Sequence, residues 1–393
     1  MSSIPTAFHV MTKPRGAICN LGCRYCYYLP KEKLYPGSLF RMSDDVLEAF
    51  TRQYIAAQKG NQVTFTWQGG EPLLMGLEFY ERALHFQRKY TRSGMCIENT
   101  LQTNGTLIDK DWARFFKQHN FLVGLSLDGP RELHDAYRVN KGGTGSFAKA
   151  LRGWELLNAQ GVETNLLCCV HAANQDSPLG VYRFFRDVLK AQFIQFIPIV
   201  VRGSAFSVES EKYGQFLIAI FDEWVHCDVG TVFVQMFDVA LGAWLGQPGG
   251  LCIFAPTCGT AIALEHNGDL YSCDHFVAPE YYLGNILQES LPVLVGDEKQ
   301  IRFGQTKLTQ LPRTCLACDV RFACHGGCPK ERFIQTPDGE PRLNYLCAGY
   351  KAFFKHIDPY MRTMAELLKQ NRPPFEILRF ISAGDEGKTH QAR

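Results

Sequence analysis

A chain of 393 residues, 46% hydrophobic and 20% charged, can bury a substantial core and fold as two domains, or as one large domain with an appendage. Its formal net charge of +2 leaves no electrostatic footprint for nucleic acid or an anionic membrane surface, and no apolar run approaches the roughly 18 residues that span a bilayer. The N-terminus MSSIPTAFHVMTKPRG lacks a basic region followed by a long apolar stretch; fifteen cysteines without an export signal point to metal or redox chemistry in the cytoplasm rather than to disulfides.

In chain order, residues 8–11 read as a short strand leading into Cys19-Asn-Leu-Gly-Cys23-Arg-Tyr-Cys26. Three thiolates at this spacing can hold three corners of a cubic iron–sulfur cluster and leave the fourth iron open to a small molecule. On spacing alone a zinc site remains the alternative. Ser43 is placed to cap a helix carrying Val46, Leu47, Phe50 and Tyr54 on one face. Residues 63–67 are β-branched and aromatic, a strand entering the Gly69-Gly70 turn. A helix over 77–90, a strand into Leu101-Gln-Thr-Asn-Gly105, a helix over 109–119 and a strand over 121–127 follow. Next come a helix over 146–160 stopped by Gly161, a strand over 162–170, a helix over 178–190 and a strand over 193–200. Repeated βα units imply a parallel sheet with right-handed crossovers, and six strands are too few for a closed barrel of eight. The expected fold is therefore α/β, a partial (β/α)6 TIM barrel. The stretches 19–26, 68–72, 102–105 and 126–129 each follow a strand, at the end of a β/α barrel where active sites are built.

The pattern changes near residue 209, with an amphipathic helix over 209–226. Eight cysteines then fall within about a hundred residues: Cys252, Cys258, Cys273, Cys315, Cys318, Cys324, Cys328 and Cys347. Eight thiolates suffice for two fully ligated four-iron clusters, whereas Cys315 to Cys328 alone could form a zinc ribbon. Cys96, Cys168, Cys169 and Cys227 lie in or beside apolar stretches and read as small buried hydrophobes. His275 and His325 adjoin cluster cysteines but are not needed as ligands. The domains expected are 1–226, a cysteine-rich region with a C-terminal helix over 227–370, and a tail over 371–393 whose polar end reads as disordered.

The aromatic Tyr25 inside the first cysteine loop, followed by Trp67-Gln68-Gly69-Gly70-Glu71-Pro72, resembles the signature of the radical S-adenosylmethionine (SAM) enzymes. The later cysteines resemble the SPASM extension of peptide-modifying members of that superfamily. Within it, five stretches are similar to the anaerobic sulfatase-maturating enzymes: 19–28, 66–72, Gln102-Thr-Asn-Gly-Thr106, Gly124-Leu-Ser-Leu-Asp-Gly129 and Tyr271-Ser-Cys-Asp-His275. The similarity runs from Pro14 to about Leu368.

The resemblance implies three [4Fe-4S] clusters: one on Cys19, Cys23 and Cys26, one on Cys252, Cys258, Cys273 and Cys328, and one on Cys315, Cys318, Cys324 and Cys347. It also implies a SAM site lined by Tyr25, Gly70, Ser126, Arg138 and Ile199, a catalytic proton acceptor at Asp274, and substrate-peptide contacts at Tyr28 and Gln68. The implied reaction oxidises one cysteine or serine of a sulfatase, in an unfolded Cys/Ser-x-Pro/Ala-x-Arg segment, to Cα-formylglycine. Its implied steps are hydrogen abstraction from Cβ and electron transfer to auxiliary clusters, with a low-potential donor such as flavodoxin or ferredoxin as a second partner. A peptide maturase forming thioether or carbon–carbon crosslinks shares the clusters; Asp274 and the Tyr27-Tyr28 extension favour the sulfatase class. A zinc scaffold without catalysis is the reading from another class.

Overall fold

The computed structural model describes residues 8–381 other than Pro248. Its strands, in chain order, are β1 (His9–Lys13), β2 (Gln62–Trp67), β3 (Cys96–Thr103), β4 (Phe121–Ser126), β5 (Thr164–Val170), β6 (Phe193–Pro198), β7 (Phe233–Val234), β8 (Ala261–Glu265), β9 (Asp269–Tyr271), β10 (Tyr282–Asn285), and the short antiparallel pair β11 (Ile334–Gln335) and β12 (Pro341–Leu343). The chain forms two compact units, each assembled from separate stretches. The first comprises residues up to Leu127, His134–Asn165 and Thr257–Thr309; the second comprises Asp128–Leu133, Leu166–Pro256 and Gln310 onward.

In the first unit β1, β2, β3 and β4 pair in parallel in that order. On its other side β1 pairs in parallel with β8, setting Lys13 opposite Glu265, and β9 and β10 extend the sheet antiparallel. In the second unit β6 lies between β5 and β7, all parallel. The six strands expected of the partial barrel, β1 to β6, are all present.

Local chemistry sets the element ends. The Ser43 hydroxyl accepts the Val46 N–H at 3.3 Å and starts the helix Asp44–Ala57, whose Val46, Leu47, Phe50 and Tyr54 are buried. Asp109 caps Lys110–Gln118 by accepting from the Asp111 and Trp112 N–H groups. Aromatic side chains fill the space between the first helix and β2: Phe50 packs against Tyr54, Phe65 and Trp67, and the Trp67 indole N–H donates to Asn99 at 2.8 Å. The helix expected over 178–190 is helical only over Pro178–Arg183 and then widens into a π turn at Phe184–Val188. Among the four remaining cysteines only Cys168 is fully buried. Cys96 opens β3 and Cys227 closes a helix, both exposed, because an element end beside an apolar stretch need not face the core. The expected disorder over 384–393 lies outside the described residues.

In the second unit the long helices Ser210–Cys227 and Cys347–Lys369 cross where Gly214 meets Gly349. A Cβ on Gly349 would stand 2.1 Å from the Ser210 carbonyl oxygen, so the two backbones touch only because both positions are glycine. Gly349→Ala is expected to force the helices apart and cost about 2 kcal/mol, read as a lower midpoint in anaerobic urea unfolding.

Candidate active site and cluster cysteines

The first cysteine loop leaves β1 and is held by backbone and side-chain hydrogen bonds together. The Cys26 N–H donates to the Cys23 carbonyl at 3.1 Å, closing the turn that brings the last two cysteines together. Gly70 and Glu71 donate their N–H groups to the Gly16 and Ile18 carbonyls at 2.8 and 2.9 Å. A Cβ on Gly70 would lie 2.0 Å from the Ile18 oxygen, so this glycine is required by the cysteine loop itself. Two donors reach the Cys19 sulfur, the Leu21 N–H at 3.4 Å and the Asn104 side-chain amide at 3.6 Å.

Glu71 ties the loop to the strands. Its carboxylate is fully buried and accepts from the Leu73 N–H, the Thr103 hydroxyl and the Asn104 N–H at 3.0, 2.8 and 2.9 Å. Burial pushes its pKa up to about 7 against the pull of these donors. Burial and the Glu71 charge push the Cys19 thiol up to about 11, so a thiolate there needs a cation beside it, as iron would supply.

The residues expected to hold SAM are distributed as follows. Tyr25 is buried with the Arg138 guanidinium 5.5 Å from its ring centre, and Arg138 is itself 7% exposed. The Ser126 hydroxyl at the end of β4 accepts from the Gln102 amide at 2.9 Å. These residues and Gly70 belong to the first unit; Ile199, part-buried and donating its N–H to the Val170 carbonyl at 2.8 Å, belongs to the second. Gln68 is part-buried just past β2, its N–H on the Thr12 carbonyl.

Asp274 lies in the first unit, directly after Cys273, and is 6% exposed. One carboxylate oxygen, Oδ2, accepts from the Tyr27 hydroxyl; the other, Oδ1, forms an ion pair with the Lys13 ammonium, which is 1% exposed. Burial pushes the Asp274 carboxyl up, but the neighbouring Lys13 and His275 charges and the Lys13 and Tyr27 hydrogen bonds outweigh it and hold it below the ordinary carboxylate range. The Lys13 ammonium also sits 4.5 Å from the centre of the Tyr28 ring. Tyr28 is 3% exposed, packs among Ala17, Ala263, Tyr271 and Val277, and donates its hydroxyl to the buried Glu265. Sequence reasoning named Asp274 and Tyr28 but not Lys13 or Glu265. The available signal was a lysine at a predicted strand end, which ordinarily reads as solvated.

In the second unit Cys315, Cys318, Cys324 and Cys347 line one small cavity together with Arg321, Asn344 and Lys351. Burial pushes Cys324 up to about 12 and Cys315 to about 11, with the neighbouring cysteines adding to the shift, so four thiolates here also require cationic charge among them. Among the described residues no three His, Cys, Asp or Glu side chains are gathered for a single ion. Of the other expected set, Cys258 and Cys273 belong to the first unit and Cys252 and Cys328 to the second.

Comparison with known proteins agrees with this chemistry. The radical SAM superfamily model matches residues 14–185, and an iron–sulfur cluster-binding domain, SPASM, matches residues 252–319. The chain is 47% identical to the serine-type anaerobic sulfatase-maturating enzyme of Bacteroides thetaiotaomicron, over 96% of this chain and 95% of the relative. It is 34% identical to a cysteine-type enzyme of Clostridium perfringens, over 92% and 99%. A solved structure described as native anSMEcpe with bound AdoMet and Cp18Cys peptide superposes with a TM-score of 0.83 at 33% identity, covering 92% of this chain and 99% of the other.

Two outcomes follow from the cysteine loop and its carboxylate. Gly70→Ala should displace the Ile18 carbonyl and lower the iron content of the reconstituted protein by about four atoms, the complement of one cluster. The folded protein keeps a proton on Glu71 that the unfolded chain has released between 4.5 and about 7. This contribution to stability is complete below the unfolded value and lost as pH rises through the folded one. Anaerobic unfolding should therefore show stability declining across that window, and Glu71→Gln should flatten the decline by about 3 kcal/mol.

Proposed function

The chain belongs to the anaerobic sulfatase-maturating enzymes of the radical SAM superfamily, and on that premise we propose that it oxidises one serine of a sulfatase polypeptide to Cα-formylglycine. The observation that carries this reading is the buried Asp274 carboxylate, paired with Lys13 and Tyr27 beside Cys273: a proton acceptor kept ionised next to a cluster ligand. Serine is favoured over cysteine by the 47% identity to a serine-type relative against 34% to a cysteine-type one.

In this reading Cys19, Cys23 and Cys26 hold the cluster that leaves one iron open; Cys252, Cys258, Cys273 and Cys328 hold the second, and Cys315, Cys318, Cys324 and Cys347 the third. Bound SAM and the clusters supply hydrogen-atom abstraction and a sink for one electron. The protein supplies position: Tyr25, Gly70, Ser126, Arg138 and Ile199 would orient SAM, while Tyr28 and Gln68 would border the peptide and present its target residue. Asp274 takes the hydroxyl proton. Serine's CH2–OH becomes CHO after losing one hydrogen atom, one proton and one electron. The sulfatase segment, of the form Ser-x-Pro/Ala-x-Arg, must reach the site unfolded, and a low-potential donor such as flavodoxin or ferredoxin provides the reducing electron in the cytoplasm. No helix among the described residues is long and apolar enough to cross a membrane.

Reconstitution under anaerobic conditions should give about twelve irons per chain. With SAM, reductant and a Ser-x-Pro-x-Arg peptide, mass spectrometry should show the loss of two hydrogens at the serine; a Cys-x-Pro-x-Arg peptide should react more slowly, exchanging sulfur for oxygen as well. Asp274→Asn should lower formylglycine formation by about a hundredfold or more. SAM cleavage that leaves both peptides unchanged would sink the sulfatase assignment and favour a crosslinking peptide maturase.

A further inference from the structure

We infer that Lys13 is a positioning residue for the oxidation, clamping the Asp274 carboxylate so that its proton-accepting lone pair faces the substrate. This rests on the reading of Asp274 as the proton acceptor.

Lys13 is the last residue of β1, and β1 is the strand that delivers the chain into the first cysteine loop. A strand-end lysine ordinarily reaches water; this one is 1% exposed. Its stem runs along the Gly69 backbone, where an added Cβ would lie in ordinary contact, 3.4 Å, with both Cβ and Cδ of Lys13. Two acidic groups face the ammonium or stand opposite its strand position. Asp274 pairs with it directly. Glu265, across the ladder from Lys13, is occupied by the Tyr28 hydroxyl and by His266 Nδ1 at 3.2 Å. The Tyr28 ring closes the remaining side of the ammonium at 4.5 Å. Lys13 is therefore committed to Asp274.

The carboxylate has two oxygens with about four lone-pair sites. Lys13 engages Oδ1 and Tyr27 engages Oδ2, which stops rotation about the Cβ–Cγ bond and leaves one lone pair on each oxygen for substrate. Removing Lys13 would leave the buried carboxylate with the Tyr27 hydroxyl and the nearby His275 but without the ammonium that engages Oδ1, free to turn away from the reacting hydroxyl. The consequence is specific: hydrogen abstraction from Cβ does not need Asp274, whereas proton removal does. Loss of the clamp should uncouple the two.

The test uses the reconstituted holoenzyme and a serine peptide deuterated at Cβ, with Lys13→Met and Lys13→Arg. Lys13→Met should keep its iron and transfer deuterium to 5′-deoxyadenosine within about twofold of the wild-type rate, while formylglycine per deoxyadenosine falls by about tenfold or more. Lys13→Arg, which keeps the charge, should recover most of that ratio. A readout independent of turnover is thermal melting: Asp274→Asn should lower the melting temperature in the wild-type background and raise it in the Lys13→Met background, since it then removes an unpaired charge. An unchanged ratio in Lys13→Met, an equal loss of deuterium transfer and formylglycine, or additive melting shifts would each overturn the proposal. A wild-type enzyme that leaves the serine peptide untouched would instead overturn the sulfatase reading, and an Asp274→Asn enzyme with full coupling would remove Asp274 as the acceptor.

Discussion

Two backbone segments lie in van der Waals contact at the end of β2 because no Cβ stands between them, and the first cysteine loop is placed by that contact. Gly70 and Glu71 hang on the Gly16 and Ile18 carbonyls, and the space a Gly70 side chain would take is filled by the Ile18 oxygen. Main-chain bonds of this kind fix position without depending on a rotamer, which suits a loop whose sulfurs must meet a rigid cluster. Glu71 then extends the constraint sideways, since its buried carboxylate accepts from Thr103 and Asn104 at the end of β3. Asn104 in turn reaches back to Cys19 and Asn20. Loop, GGEP turn and β3 terminus are thus one hydrogen-bonded body, and displacing any of them moves the sulfurs.

The same logic governs the charged pair behind the loop. Taking an ammonium and a carboxylate out of water costs several kcal/mol for each ion, and their attraction offsets this only when remaining hydrogen-bond capacity is also met. Lys13 and Asp274 meet that condition with Tyr27 on the carboxylate and the Tyr28 face under the ammonium. Hydrophobic residues of similar size would hold β1 to the β8–β9 region at no such cost. The buried pair beside Cys273 is therefore a costly way to hold these strands together, and the proposed proton acceptor gives it a use.

Much of this was legible in the sequence, because the relevant signals are local. Cysteine spacing, the GGEP turn, the Ser43 and Asp109 caps and the apolar periodicity of the helices each lie within a few residues, and β1 to β6 follow from them. The partners of Lys13 do not. Tyr27 and Asp274 are 247 residues apart, and Lys13 meets Asp274 only because β8 pairs in parallel with β1 in the register that sets Lys13 against Glu265. No window of sequence contains that register. Cys96 and Cys227 show the converse error: an apolar neighbourhood along the chain does not determine which way a residue at an element end faces.

Tyr27 and Tyr28 show how one dipeptide links two kinds of site. Adjacent along the chain, the two rings meet edge to face at 5.8 Å, and their hydroxyls go to different acids, Asp274 and Glu265. Tyr27 follows Cys26 directly, and Asp274 follows Cys273 directly, so the Tyr27–Asp274 hydrogen bond joins the residue after a ligand of one expected cluster to the residue after a ligand of another. Burial first, then the Asp274 charge and hydrogen bond, and last the negative charge of Cys26 and Cys273 keep the Tyr27 hydroxyl protonated and therefore a donor. The bond thereby ties the segment that carries Cys26 to the segment that carries Cys273. Hydrogen-atom loss, proton loss and electron loss from one side chain require abstracting centre, base and electron sink to converge on a single carbon. In the proposed reaction the base is Asp274, and within the first unit two tyrosines, one lysine and the register of two strands hold its carboxylate.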